Sequence, residues 1–250
     1  MQAMRVIACV NQKGGVGKTT ICANLAYALS QRGQRVLAID LDPQAQLGQY
    51  FGLFQNKRAG IDRVLAGKSE LNDVIQTLSS SLCFIAAGPA LQRLESTPMG
   101  KGRGLILKKA LKRAPPEVDI ILLDCPPSSG FLVVNALAMA TELLTPVTPD
   151  FFGLSGMSTM MATMRNFERM IGKYQRHWVV VSRMQKERRL TTDAIDKLKR
   201  YFSNNLVPVY IEESNAVATS PSYGQPVQAW SPQSKASNEF AQLADTILEV

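Results

Sequence analysis

Seven short apolar runs, each too brief for a helix, punctuate the chain: Val6–Val10, Arg35–Ile39, Leu82–Ala87, Asp119–Leu123, Leu143–Val147, Trp178–Ser182 and Val207–Ile211. Runs of this length without polar alternation read as strands buried on both faces, which is how strands of a parallel sheet read. Helix-forming stretches separate them. Ile21 to Gln31 places Leu25, Ala28 and Leu29 at helical spacing before Gly33 stops it, and the glycines from Gly100 to Gly104 open a second helix that runs to about Arg113, where Pro115-Pro116 end it. Thr191 or Thr192 caps a third, which reaches about Ser203. Residues 45–80 offer only two short amphipathic pieces, Tyr50–Leu53 and Ile61–Leu65, before the turn at Ser79-Ser80-Ser81. The pattern predicts an α/β fold with a doubly wound, mostly parallel sheet flanked by helices, in one domain over residues 1–250.

The first strand runs into Asn11-Gln12-Lys13-Gly14-Gly15-Val16-Gly17-Lys18-Thr19-Thr20, and a helix follows. A strand feeding a glycine turn and a helix N-terminus aims successive backbone N–H groups at one point, where a polyphosphate sits. A Cβ would block the approach of backbone to phosphate, Lys18 supplies charge for the β- and γ-phosphates, and the Thr19 hydroxyl suits Mg²⁺. The usual spacing G-x-x-x-x-G-K-[ST] puts a glycine where this chain has Gln12, and a second lysine, Lys13, follows at once. A turn that merely packed a helix on a strand needs neither lysine. Two more chemical groups stand at strand ends, where ligands of a parallel sheet bind: Asp40-Leu41-Asp42-Pro43-Gln44 and Asp124-Cys125-Pro126-Pro127-Ser128. Period-two alternation expects Asp40 and Asp42 to point the same way. Asp124, ending an apolar strand in a phosphate-loop protein, is the carboxylate that holds a water of the Mg²⁺ shell.

Lys13-Gly14-Gly15-Val16-Gly17-Lys18-Thr19-Thr20 resembles the deviant Walker A box of the ParA/MinD family of ATPases, and the segments at Asp40 and Asp124 resemble that family's D-x-D-P-Q and L-D-x-P-P boxes. Ser220-Pro221-Ser222-Tyr223-Gly224-Gln225-Pro226 and Pro232-Gln233-Ser234-Lys235 are similar to its closing boxes. The resemblance covers nearly the whole chain. It implies ATP and Mg²⁺ as cofactors, with Lys13, Gly14, Gly15, Val16, Gly17, Lys18, Thr19 and Thr20 binding the nucleotide. It also implies Thr19, Asp40 and Asp124 about the metal, Lys13 and Lys18 on the phosphates, and Asp42 orienting the attacking water. Lys13 is expected to cross a dimer interface to the partner's nucleotide. Thr148 to Gly156 resembles the segment that opens a long interface helix, with Ser155 where many relatives carry glutamate. Met157, Met160, Met161 and Met164 then recur at helical spacing as a core stripe.

Composition sharpens the partner. The formal charge is +8, and eleven basic residues against four acidic ones between Arg165 and Arg200 hold nearly all of the excess. Clustered cations suit a polyanion, and binding duplex DNA without regard to sequence requires no more. Lys235, matching a basic residue that contacts the DNA backbone in the family, and Arg183, Lys186, Arg188 and Arg189 are the candidates. Glu212-Glu213-Ser214 stands where many chromosome-partitioning relatives have Pro-Arg-Asn, a change expected to weaken DNA binding or alter base contacts. Cys9, Cys22, Cys83 and Cys125 fall singly in or beside apolar runs and read as buried thiols. No apolar stretch reaches membrane-spanning length, so the reading is cytoplasmic; the resemblance and the basic excess imply nucleoid association.

The expected function is an ATPase that forms an ATP-sandwich homodimer, binds non-specific double-stranded DNA and positions a cargo, stimulated by a ParB-like partner. The alternative, a MinD-like membrane-cycling regulator, needs a basic amphipathic C-terminal helix, and Asn238 to Val250 has no lysine or arginine. An electron-transfer relative of the nitrogenase iron protein needs a cluster cysteine soon after Asp124, where this chain offers Phe131 and no cysteine beyond Cys125.

Overall fold

The computed structural model describes residues 4–55, 58–97, 100, 102–149, 162, 165, 166, 168, 169, 172–185 and 189–249. Its strands are β1 (Arg5–Cys9), β2 (Val36–Asp40), β3 (Gln76–Thr77), β4 (Leu82–Ile85), β5 (Ile120–Asp124), β6 (Glu142–Val147), β7 (Arg176–Met184) and β8 (Leu206–Glu212). They form one sheet in the order β3-β4-β2-β5-β1-β6-β7-β8. Every pairing is parallel except that of β3 with β4. The predicted architecture is therefore borne out, with one addition: β3, two residues long, is too short to leave a periodic signal.

Among the described residues the helices are α1 (Lys18–Ser30), α2 (Ile61–Leu65), α3 (Leu91–Glu95), α4 (Ile106–Arg113), α5 (Phe131–Met139), α6 (Arg189–Tyr201), α7 (Asn215–Thr219), α8 (Val227–Trp230) and α9 (Lys235–Leu248). One core lies where α1 and α9 cover the sheet, around Leu25, Leu29, Val180, Phe240 and Leu243. A second lies on the opposite face, around Leu37, Ile39, Ile121, Leu107 and Phe131. β1, β2 and β5 are apolar on both sides because both sides are covered. α6 begins at Arg189, so Thr191 and Thr192 fall inside the helix and neither is its cap.

Two features hold β6 to its neighbours. Glu142, buried at the foot of β6, accepts from Arg5 Nε at 2.6 Å, Arg5 Nη2 at 2.8 Å and Trp178 Nε1 at 2.7 Å, so its charge is fully engaged. Thr145 Oγ1 and His177 Nε2, 3.0 Å apart, join β6 to β7. Among the described residues no helix is long and apolar enough to cross a membrane.

Candidate functional site

The site grows from the carboxyl ends of β1, β2, β5, β7 and β8. Leaving β1, the chain turns through Gly15 at φ +74° and Gly17 at φ +83°, left-handed values that a side chain disfavours. α1 starts at the next residue with no acidic side chain in its first turn, which leaves its positive end open to an anion. The Val16 side chain is fully buried and anchors the loop from below. Lys18 is 6% exposed, and its Nζ donates to the Lys13 carbonyl at 3.2 Å, so the ammonium spans the turn. Gly15, Gly17, Lys18 and Thr19, with Asp42, Gln44, Tyr50, Arg183, Glu212 and Glu213, enclose a cleft of about 440 Å³.

Asp124 lies beneath. It is completely buried, and neither carboxylate oxygen has a hydrogen-bond partner among the described residues. Burial, aided by the charge of Asp42, pushes its pKa up to about 7, against the Thr19 hydroxyl and the Lys18 ammonium. A carboxylate left so, beside a threonine at a phosphate loop, is suited to a cation shell that the protein groups only complete. The described residues contain no cluster of His, Cys, Asp or Glu able to hold a metal by themselves. That accords with Mg²⁺, which keeps several waters and takes ligands from substrate phosphates.

The aspartates after β2 part company. Asp42 lines the cleft, its Oδ1 accepting from Gln44 N at 2.9 Å. Asp40 is buried, and its two oxygens accept from Asp42 N at 3.0 Å and Leu47 N at 3.1 Å. Burial and the charge of Asp124 hold its pKa well above the ordinary carboxylate range. The sequence expects Asp40 and Asp42 to point the same way; in the structure both Asp40 oxygens face backbone N–H groups while Asp42 lines the cleft. β2 ends at Asp40, alternation stops there, and Asp40 becomes the peg that closes the loop carrying Asp42. Thr20 is also engaged, its hydroxyl 2.9 Å from Tyr50 Oη.

Two of the candidate DNA residues are engaged by carboxylates. Arg183 Nη1 donates to the Gly15 carbonyl at 3.1 Å, and its Nη2 pairs with Glu213 Oε1 at 2.8 Å. Lys235, the first residue of α9, has Nζ 2.5 Å from Glu212 Oε1 and 4.0 Å from Glu239 Oε1. The two carboxylates noticed in the sequence are thus the partners of two of its proposed DNA cations. Arg189 opens α6, while Lys186 and Arg188 lie outside the described residues, as do Ser155 and Met157, Met160, Met161 and Met164.

Three residues that sequence reasoning passed over hold the loop in place. Asn11 Nδ2 donates to the Pro146 carbonyl at 2.7 Å while its Oδ1 accepts from Lys13 N at 3.0 Å, lashing the loop to β6. Ser182 Oγ donates to the Val16 carbonyl at 2.7 Å. Tyr50 contributes the contact to Thr20. Asn11 was legible, standing directly before the loop; Ser182 and Tyr50 are brought there by the fold alone. Cys9, Cys22 and Cys125 are buried, and burial raises their thiol pKa values; Cys83 is half-buried.

Comparison with known proteins accords with this geometry. The model of a family described as AAA domain matches residues 4–175. The sporulation initiation inhibitor protein Soj of Bacillus subtilis is 30% identical, over 97% of this chain and 98% of its own length. The chromosome partitioning protein ParA of Caulobacter vibrioides is 31% identical over 98% of this chain and 94% of its own. Among solved structures, cobyrinic acid a,c-diamide synthase from Mycobacterium smegmatis with bound ATP analogue and magnesium superposes with a TM-score of 0.84. Its identity is 25%, covering 99% of this chain and 95% of that one.

Proposed function

The chain belongs to the ParA-type partitioning ATPases, and from that premise we propose that it binds ATP with Mg²⁺, dimerises around two nucleotides, associates with nucleoid DNA without sequence preference and positions a cargo through cycles of hydrolysis. The observation that carries the nucleotide half is Asp124, a fully buried carboxylate beneath the phosphate loop with only the Thr19 hydroxyl and the Lys18 ammonium to offset its charge.

In this reading the N–H groups from Gly14 to Thr20 and the Lys18 ammonium hold the β- and γ-phosphates. Thr19 and Asp124 would hold Mg²⁺, which when bound would supply neutralisation of the phosphate charge. Asp42, on the cleft wall, orients a water for in-line attack at the γ-phosphorus. The bond from that phosphorus to the β-bridging oxygen breaks, giving ADP and phosphate. Lys13 crosses to the partner subunit's nucleotide, and a ParB-like partner accelerates turnover.

The DNA half rests on the basic excess and on Lys235 at the N-terminus of α9. The membrane-cycling alternative is disfavoured by α9 itself: Ala236, Phe240, Leu243, Ala244 and Ile247 are buried in the core, which leaves little apolar face for a bilayer.

The test is binding of the purified protein to random-sequence duplex DNA without nucleotide, with ADP and with a slowly hydrolysed ATP analogue, across salt concentrations and with Lys235→Ala. We expect binding only in the ATP state, falling steeply with salt and weakened by the substitution. ATP-dependent dimerisation with no DNA binding in any state overturns the DNA half and leaves the nucleotide half standing.

A further inference from the structure

We propose that Arg183 is a nucleotide-binding residue, held ready over the phosphate loop by Glu213, and is not part of the DNA surface. Its guanidinium lines the same cleft as Gly15, Lys18 and Thr19, and donates to the carbonyl of Gly15 at 3.1 Å. A nucleotide seated in that loop lies within its reach, whereas a duplex outside would have to draw it away from the loop.

The backbone points the same way. Arg183 has φ +51°, a left-handed conformation that L side chains adopt at a cost, and one of only two such non-glycine residues among those described. Arg183 falls where β7 slips register against β8 between Val181 and Met184, a bulge at the rim of the cleft. The side chain is more than half exposed, and its exposed ion pair with Glu213 contributes little to stability. Strain at a charged, accessible residue beside a ligand cradle is characteristic of a functional position.

The supports around it are specific. Ser182, the preceding residue, donates to the Val16 carbonyl at 2.7 Å and so fixes the end of β7 against the loop. Glu213 N donates to the Met184 carbonyl at 3.0 Å, tying the chain after β8 to the end of β7 just past a register shift. Glu213 Oε1 accepts from Arg183 and its Oε2 from Gln185 Nε2, so both oxygens are spent on residues at and just past the end of β7. Glu213 therefore has two effects on an incoming nucleotide: it orients the guanidinium, and its own charge opposes the phosphates.

This inference stands on nucleotide binding and is independent of the DNA reading. Affinity for fluorescent ADP and a fluorescent, slowly hydrolysed ATP analogue is measured with Mg²⁺ for the natural chain, Arg183→Met, Arg183→Lys, Glu213→Gln and the Met/Gln double variant, with thermal melting as the control for folding. The Met variant is expected to weaken nucleotide binding about tenfold and the Lys variant to recover part of the loss. Glu213→Gln is expected to tighten binding roughly threefold, a gain absent from the double variant because it acts through Arg183. Nucleotide affinity unchanged in a well-folded Arg183→Met protein overturns the proposal, as does a gain from Glu213→Gln that persists without Arg183.

Discussion

A carboxylate with neither oxygen hydrogen-bonded, as in Asp124, is costly to bury, and a fold keeps such a group when something else completes it. Asp124→Asn keeps the shape and removes the charge. Hydrolysis with Mg²⁺ is expected to fall on the order of a hundredfold, while the nucleotide-free protein melts about 2–4 °C higher, corresponding to roughly 1 kcal/mol of relieved desolvation. A steady-state ATPase assay and a thermal melt read the two effects; a lower melting temperature would mean that Asp124 serves the fold and not the site. At this scale the sequence was a good guide to the residues of the loop and of the strand ends, because their chemistry is local. It could not foresee the partners of Asp40, Asp42 N and Leu47 N, which depend on where β2 stops, or the Gly15 carbonyl that Arg183 faces.

Among elements, the seam between β6 and β7 has its own pH response. His177 is held near a pKa of about 4 by burial, below its ordinary value of about 6.5. The unfolded chain therefore binds this proton more readily than the folded one. The contribution to stability is complete above about pH 6.5 and is lost as pH falls towards 4, up to roughly 3 kcal/mol. His177→Gln, which keeps a side chain able to bond Thr145, is expected to flatten that acid limb in melts taken from neutral pH downward; parallel curves for both proteins refute the assignment. The long buried strands were legible element by element, since their apolar runs are continuous. α7 and α8 were not, being too short for a period to show, and their place is set by contacts such as Val227 N with Asn24 Oδ1 at 2.7 Å.

For the molecule as a whole, the +8 charge is an attraction to polyanions that the local ion pairs temper. Lys235 meets Glu212 just as Arg183 meets Glu213. Glu212→Gln removes one negative charge at the foot of α9 and leaves Lys235 less neutralised, so random duplex DNA is expected to bind roughly two- to fivefold more tightly at low salt, with the difference shrinking as salt is added. Fluorescence anisotropy of a labelled duplex reads it. No change would place the DNA surface elsewhere. The strand order carries a consequence for how the protein is made. β1 emerges from the ribosome before its sheet neighbours β5 and β6, yet Cys9 lies in register with Asp124, and Val10 donates to the Leu144 carbonyl at 2.9 Å. A nascent chain that has produced only the phosphate loop has no sheet beneath it and no carboxylate opposite. Nucleotide capture during synthesis must therefore wait until β6 has cleared the exit tunnel, and until then the apolar β1 strand has no sheet partner to cover it.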